Sequence, residues 1–285
     1  MKIAEEYIKN VEKLAPCPEV ALDVLSLAHD ADFSISRLAG KVERDPGLTA
    51  NMLQMANSAY FGHMKKITSI KDIIVRLGLE TVKIIAITSA SVGLLKSPKN
   101  SYSLSAGELW RHSYSTALLA SIIARFAQAK DSFAVYTAGL LHDIGKVVLD
   151  QPLELERLNQ HLEEGRYEGV ELERQLLHTD HAEVGGALLE KWGLPESITA
   201  PVALHHATTL PGAGAIGVKV VYLANQLTHL TIIDDAKEGE YFFDVLRYEE
   251  IKETLPEVVN FKENMRLIID EFVEKYNETA NVFVL

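Results

Sequence analysis

A single cysteine in 285 residues is the first thing this sequence has little of. Cys17, in Ala-Pro-Cys-Pro, excludes an internal disulfide framework and fits a reducing compartment. A place beneath a turn explains it better than a reactive thiol. Long hydrophobic runs are also missing: none reaches the ~18 residues of a membrane span. The opening MKIAEEYIKN is too charged for a signal peptide, so a cytoplasmic chain with no membrane association is expected. Strand-type alternation, internal repeats and low-complexity segments are absent. So is a basic stripe. Net charge is −12; residues 1–100 carry 13 Lys/Arg against 11 Asp/Glu, and the remainder 15 against 29. Such an acidic chain is a poor partner for backbone phosphates, so no nucleic acid is expected.

What remains is helical periodicity in a chain that is 47% hydrophobic and 24% charged. A run from Pro18 (Val20, Val24, Leu25, Ala28) stops at His29-Asp30-Ala31-Asp32. Ile35, Leu38, Ala39 and Val42 form a short helix. Asp45-Pro46 reads as an N-cap with proline at the first helical position, leading a helix towards ANSAYFG and Gly62. Ser69, with Asp72 placed for a capping box, opens another that ends at Leu77-Gly78. Glu80 to about Leu95 is strongly apolar. The polar SPKNSYS stretch (97–103) is a natural boundary. The organisation expected is an N-terminal helical lobe (1–100), a helical domain bearing a metal site (101–233) and an acidic tail (234–285) with helices around 248–254 and 262–276. That tail carries 14 acidic against 6 basic residues; it could pack on the body or meet a basic partner.

The chemistry-bearing residues lie in the middle block. Glu108 and His112, four apart in ELWRH, share a helix face and could reach one cation, although a surface pair has the same spacing. AGLLHDIGKVVL is more specific. His142 and Asp143 set a nitrogen donor beside an oxygen donor able to bridge two metals. Lys146, one turn on, could neutralise a substrate oxyanion or pair with Asp143. A plain helix end would also place polar residues there. In DHAEVGG, Asp180 could cap a helix and leave His181 pointing inward, while Gly185-Gly186 would admit a close neighbour. His205 and His206 precede a Pro/Gly-rich loop. Consecutive helical residues diverge by about 100°, so both rings serve one site only near a helix end or between two metals; otherwise they face solvent. Imidazole and carboxylate are the usual ligands of first-row metals, and such pairs in apolar helices are costly unless used.

In this order, these segments resemble the HD superfamily of metal-dependent phosphohydrolases, with its H…HD…H…HH helical site. PCPEVALDVLSLA, LAGKVERDPGLTANMLQMANSAYFG, ITSIKDIIVRLGLETVK and EKWGLP resemble the HDOD family of bacterial signalling modules, over roughly residues 10–230. The resemblance implies an all-α, HD-domain-like fold in two helical lobes and a role in signal transduction. Many such modules have lost the metal residues and act through protein partners. This chain keeps Glu108, His112, His142, Asp143, Lys146, His181, His205 and His206, a set similar to that of the HD-GYP phosphodiesterases. It departs from them twice: Asn225, in VVYLANQLTHL, stands where an Ala-Asp turn would supply a carboxylate, and HHATTLPGAGAIG lacks the GYP loop. Cyclic-di-GMP hydrolysis is therefore disfavoured.

Two functions compete. The first is a regulatory output module with a retained metal site and a protein partner. The second is a phosphohydrolase acting on a nucleotide or other phosphate ester. In it one or two divalent ions, held by His112, His142, Asp143, His181, His205 and His206, would activate water. Lys146 would stabilise developing charge, Asp143 would serve the metals, and Glu108 would bind metal or orient water. A redox-sensing iron site is a third. The ligand types do not distinguish iron, manganese, zinc and nickel. His29, His63, His161, His178 and His229 have no ligand-like company, with His178 closest to an exception. The Asp45-Pro46 helices imitate a helix-turn-helix, but Leu48 to Ala59 carries no basic residue, so DNA reading is not expected.

Overall fold

Short polar side chains start many of the helices. In the computed structural model, which describes residues 2–9, 35–58, 66–150, 169–207, 215–234, 240–243, 258 and 261–283, the Asp45 carboxylate accepts from Leu48 N (3.0 Å) and opens α3 (Pro46–Ala56), after α1 (Lys2–Ile8) and α2 (Ile35–Val42). Ser69 Oγ accepts from Asp72 N at 3.1 Å and opens α4 (Ile70–Leu77). Each such cap satisfies an amide that the first turn leaves without a carbonyl. Gly78, at φ +80°, separates α4 from α5 (Leu79–Leu95), a helix apolar nearly all round and correspondingly buried. The expected helices from Pro18 and around 248–254 fall outside the described residues, and α3 stops at Ala56 with Asn57 as its C-cap, short of the expected end at Gly62.

The 97–103 stretch forms a tight turn. Lys99 pairs with Leu104 around a 3-10 turn (Asn100–Tyr102), and Ser101 N donates to Asp150 Oδ1 at 2.9 Å. Beyond it come α6 (Glu108–Phe126), α7 (Ser132–Leu141), α8 (Ile144–Leu149), α9 (Val170–Leu177), α10 (His181–Lys191), α11 (Glu196–Leu204) and α12 (Ile216–His229). Helix α6 is the central post, with α7 and α12 against it and α5 nearby. Helix α1 lies on α10, where Lys191 Nζ donates to Ile8 O at 3.1 Å.

Two glycines set the tightest contacts around the future site. A Cβ on Gly145 would fall 1.9 Å from His181 O, and one on Gly186 would fall 2.6 Å from Ala203 Cβ. Helices α8, α10 and α11 therefore approach backbone to backbone, as the Gly185-Gly186 pair suggested.

One feature departs from the all-helical expectation. Thr231–Asp234 (β1) and Glu240–Phe243 (β2) form an antiparallel ribbon with Thr231 opposite Phe243. β-branched and aromatic residues favour this conformation, but four residues are too few for a period-2 signal. The acidic tail does pack on the body over its described helix, α13 (Phe261–Phe283), which lies along α6. Phe272 is fully buried there, Tyr114 OH donates to Thr279 Oγ1 at 2.7 Å, and Arg125 pairs with Glu271. No described helix is long and apolar enough to cross a membrane.

Candidate metal centre

Helix ends place the site residues, because a helix end frees a side chain from the lateral face. His142 and Asp143 occupy the turn between α7 and α8. His181 opens α10, capped by Asp180, whose Oδ1 accepts from Glu183 N at 2.8 Å. Helix α11 stops at Leu204, so His205 and His206 both escape the helical 100° divergence and face one centre. His112 comes from the second turn of α6, and Asn225 from within α12.

Asp143 is the hub. It is 1% exposed, and its two oxygens face different partners. Oδ1 lies 3.0 Å from His181 Nε2 and 3.6 Å from His205 Nε2. Oδ2 lies 2.7 Å from Lys146 Nζ, 3.4 Å from His142 Nε2 and 3.7 Å from His112 Nε2. Two ligand groups result, Asp143 with His181, His205 and His206, and Asp143 with His112 and His142; within each, the donor atoms lie within 4.8 Å of one another.

The imidazoles are oriented from behind. His142 Nδ1 donates to Gly139 O at 2.8 Å and His205 Nδ1 to Val202 O at 2.7 Å. A carbonyl only accepts, so each Nδ1 holds the proton and each Nε2 turns its lone pair inward. His181 Nδ1 meets both oxygens of Glu173 at 2.8 Å, and its backbone N–H donates to the same carboxylate. Locking the outer nitrogen in this way is the usual device of a ligating histidine. Three atoms at the centre, Asp143 Oδ1, His181 Nε2 and His205 Nε2, are buried without a hydrogen-bond partner. Unsatisfied buried donors and acceptors are rare and destabilising, and converging ones of this chemistry fit a divalent cation.

The electrostatics agree with a cation-ready centre. Burial opposes ionisation of Asp143, but His142, the Lys146 ammonium and the nearby His181 ring hold its carboxyl well below the usual value. Burial likewise opposes charge on His181, yet the adjoining Glu173 carboxylate and Asp143 raise it to about 9 without a cation; a metal on Nε2 would take that proton's place. Burial and neighbouring imidazoles lower His205 to about 3, and lower His112 and His206 as well.

The structure brings His112, His142, Asp143, Lys146, His181, His205 and His206 together, and leaves Glu108 apart. Ser105 N and Oγ both donate to Glu108 Oε2, which holds that carboxyl below its usual value at the start of α6. His178 caps α9 in a left-handed conformation (φ +56°), its side chain exposed. His229, set aside on sequence, has company after all: its ring lies 4.6 Å from that of His112. Sequence reasoning missed Glu173 and Tyr102. Glu173 looks like one more charge on an acidic helix, yet it is 1% exposed. The Tyr102 phenol is buried near Glu173, with Lys146 Nζ 5.8 Å from its ring centre; burial first, then the carboxylates, raise it well above its usual value.

A buried histidine–aspartate cluster, gathered from the ends and faces of packed helices, defines a helical protein with a cluster that could hold a metal. The chain belongs to the HDOD domain family, whose model matches residues 14–208. The same fold occurs in an HDOD domain protein of unknown function from Geobacter sulfurreducens, 27% identical, with a TM-score of 0.77 over 100% of this chain and 98% of that one. It also occurs, at 19% identity and a TM-score of 0.73, in a "putative phosphohydrolase" from Shewanella amazonensis SB2B, over 97% of this chain and 96% of that one. A "putative signal transduction protein" from Marinobacter aquaeolei VT8 shares the fold at 21% identity and a TM-score of 0.68, over 99% of this chain and 62% of that one. An uncharacterized protein of Treponema pallidum (strain Nichols) is 26% identical over 208 residues, 72% of this chain but only 40% of its own length.

Proposed function

We propose that this chain is a signalling module in which a divalent ion, held at Asp143, ties several helices together and sets the surface offered to a protein partner. The observation that carries it is the convergence of His181 Nε2, His205 Nε2 and Asp143 Oδ1, buried and unsatisfied, from three different helix termini. His112 on α6 extends the tie to the central post. A cation joining such elements stabilises the arrangement in which they meet, by an amount set by its affinity. Occupancy then selects one packing of the helices, which is what a relay to a partner needs. The signalling name of a fold relative points the same way.

A hydrolase reading is the alternative, favoured by Lys146 and by the partial exposure of His112 and His206. A bound divalent ion supplies an acidified water and a clamp for phosphate oxygens. Around it Asp143 would hold the charge, and Lys146 would stabilise the developing oxyanion. Glu108, bonded to Ser105, has no part in this arrangement. The phosphate ester would be a nucleotide or a simpler compound.

Metal content by plasma mass spectrometry, with amide exchange before and after chelation, tests the first reading. Bound metal, lost in Asp143→Ala, together with faster exchange in α6, α8, α10 and α11 after chelation, is expected. Absence of metal from a folded chain defeats it. Turnover of p-nitrophenyl phosphate or nucleoside monophosphates by the metal-loaded protein, lost in Asp143→Ala, would instead establish the hydrolase.

A further inference from the structure

The two sides of Asp143 differ in which atoms already have partners. On the Oδ1 side, Asp143 Oδ1, His181 Nε2 and His205 Nε2 have no hydrogen bond, and His206 stands over them with its ring 4.2 Å from that of His205. On the Oδ2 side every inward atom is engaged. Lys146 Nζ donates to Oδ2 at 2.7 Å. His112 Nε2 lies 3.2 Å from His142 Nε2 and 3.0 Å from Asn225 Oδ1. Since His142 carries its proton on Nδ1, its Nε2 can only accept, so the proton between the two rings belongs to His112. That proton is shared with the Asn225 carbonyl, and Asn225 is 1% exposed. Only the amide rotamer with Oδ1 towards His112 keeps both bonds, because an Nδ2–H in its place would need a lone pair on His112 Nε2 and leave it facing the His142 lone pair.

A cation entering the Oδ2 side would have to break this triangle and meet the Lys146 ammonium at hydrogen-bonding distance from the same oxygen. On the Oδ1 side it would satisfy three buried atoms that make no well-formed hydrogen bond, and displace only the His181 proton that faces Oδ1 at 3.0 Å. Three imidazoles and one carboxylate oxygen also make a complete tetrahedral set for a first-row divalent ion.

Resting on the metal-holding reading above, we propose that this chain binds a single divalent ion, on the Oδ1 side of Asp143 between His181, His205 and His206, and that Asn225 and Lys146 close the Oδ2 side. Asn225 is then a specificity-determining residue for metal number.

Zinc is the probe: the full chain is stripped with chelator, reloaded, and studied by titration calorimetry and X-ray absorption. Wild type is expected to bind one equivalent with three imidazoles around the ion. His206→Ala should lose at least tenfold in affinity, and Asn225→Asp, which adds a second anionic donor beside Asp143 Oδ2, should raise the stoichiometry from one to two. Two equivalents in wild type, or one ion with only two imidazoles, overturns the proposal; the absorption result needs no variant and so does not depend on any mutant folding. A folded wild-type chain that takes up no zinc or other divalent ion overturns the metal-holding reading itself, and this proposal with it.

Discussion

What distinguishes a ligating imidazole from a buried one is the partner on its far nitrogen. His142, His181 and His205 each have a fixed acceptor there, two carbonyls and one carboxylate. The carboxylate is the telling case, since Glu173 raises the electron density of His181 as well as orienting it. Glu173→Gln keeps the size and one acceptor but removes the charge. Zinc affinity is expected to fall 10–100-fold with helical content unchanged, as read by competition with a chromogenic chelator and circular dichroism. An unchanged affinity would reduce Glu173 to a structural partner of the α10 amide. The types and order of the site residues were legible in the sequence; the far-side acceptors were not. Two are backbone carbonyls, and the third is a glutamate indistinguishable by composition from its exposed neighbour Glu171.

Among the elements, the contact between α8 and α10 decides the geometry at the hub, because Asp143 leads one and His181 the other. Gly145 is the residue that lets them meet. Gly145→Ala would drive a methyl into the His181 carbonyl, and overpacking of this kind destabilises by about 1–3 kcal/mol or more. A lower urea midpoint together with lost zinc binding is expected. Gly40→Ala, on α2 with nothing within 4 Å of the added carbon, is the control and should stabilise by about 0.5–1 kcal/mol. Equal effects of the two would mean that close approach is not what Gly145 provides. Helix starts were readable, since Asp45, Ser69 and Asp180 all cap as their spacing indicated. The β1–β2 ribbon was not, being shorter than the pattern that announces a strand.

For the molecule as a whole, four imidazoles of the cluster tie stability to pH in opposite senses. His205, lowered to about 3, and His112 and His206, also lowered, stay neutral in the folded chain. Unfolded, they take up protons from about pH 6.5 downward. Their contribution is therefore complete above that pH and lost as pH falls. His181, raised to about 9, works the other way: its contribution is complete below about 6.5 and disappears as pH rises through 9. The metal-free protein should be most stable near pH 6.5, with each proton contributing a limiting slope of about 1.4 kcal/mol per pH unit. Urea unfolding from pH 4.5 to 9.5 checks it; stability rising steadily across that range would show that His181 is not held charged. The tail enters at this scale too. Its composition left open a body contact or a basic partner, and Phe272 and Thr279 decide for the body over the described helix.

The sequence by itself determined the class of the fold, the helix starts and the donor chemistry, because periodicity, caps and ligand types are local properties of neighbouring residues. Only the tertiary structure decided which donors meet, that Asn225 closes on His112, and that Asp143 turns one oxygen to each side. Those outcomes depend on where helix ends far apart in the chain converge, and close approach at Gly145 and Gly186 is a property of the packed backbone.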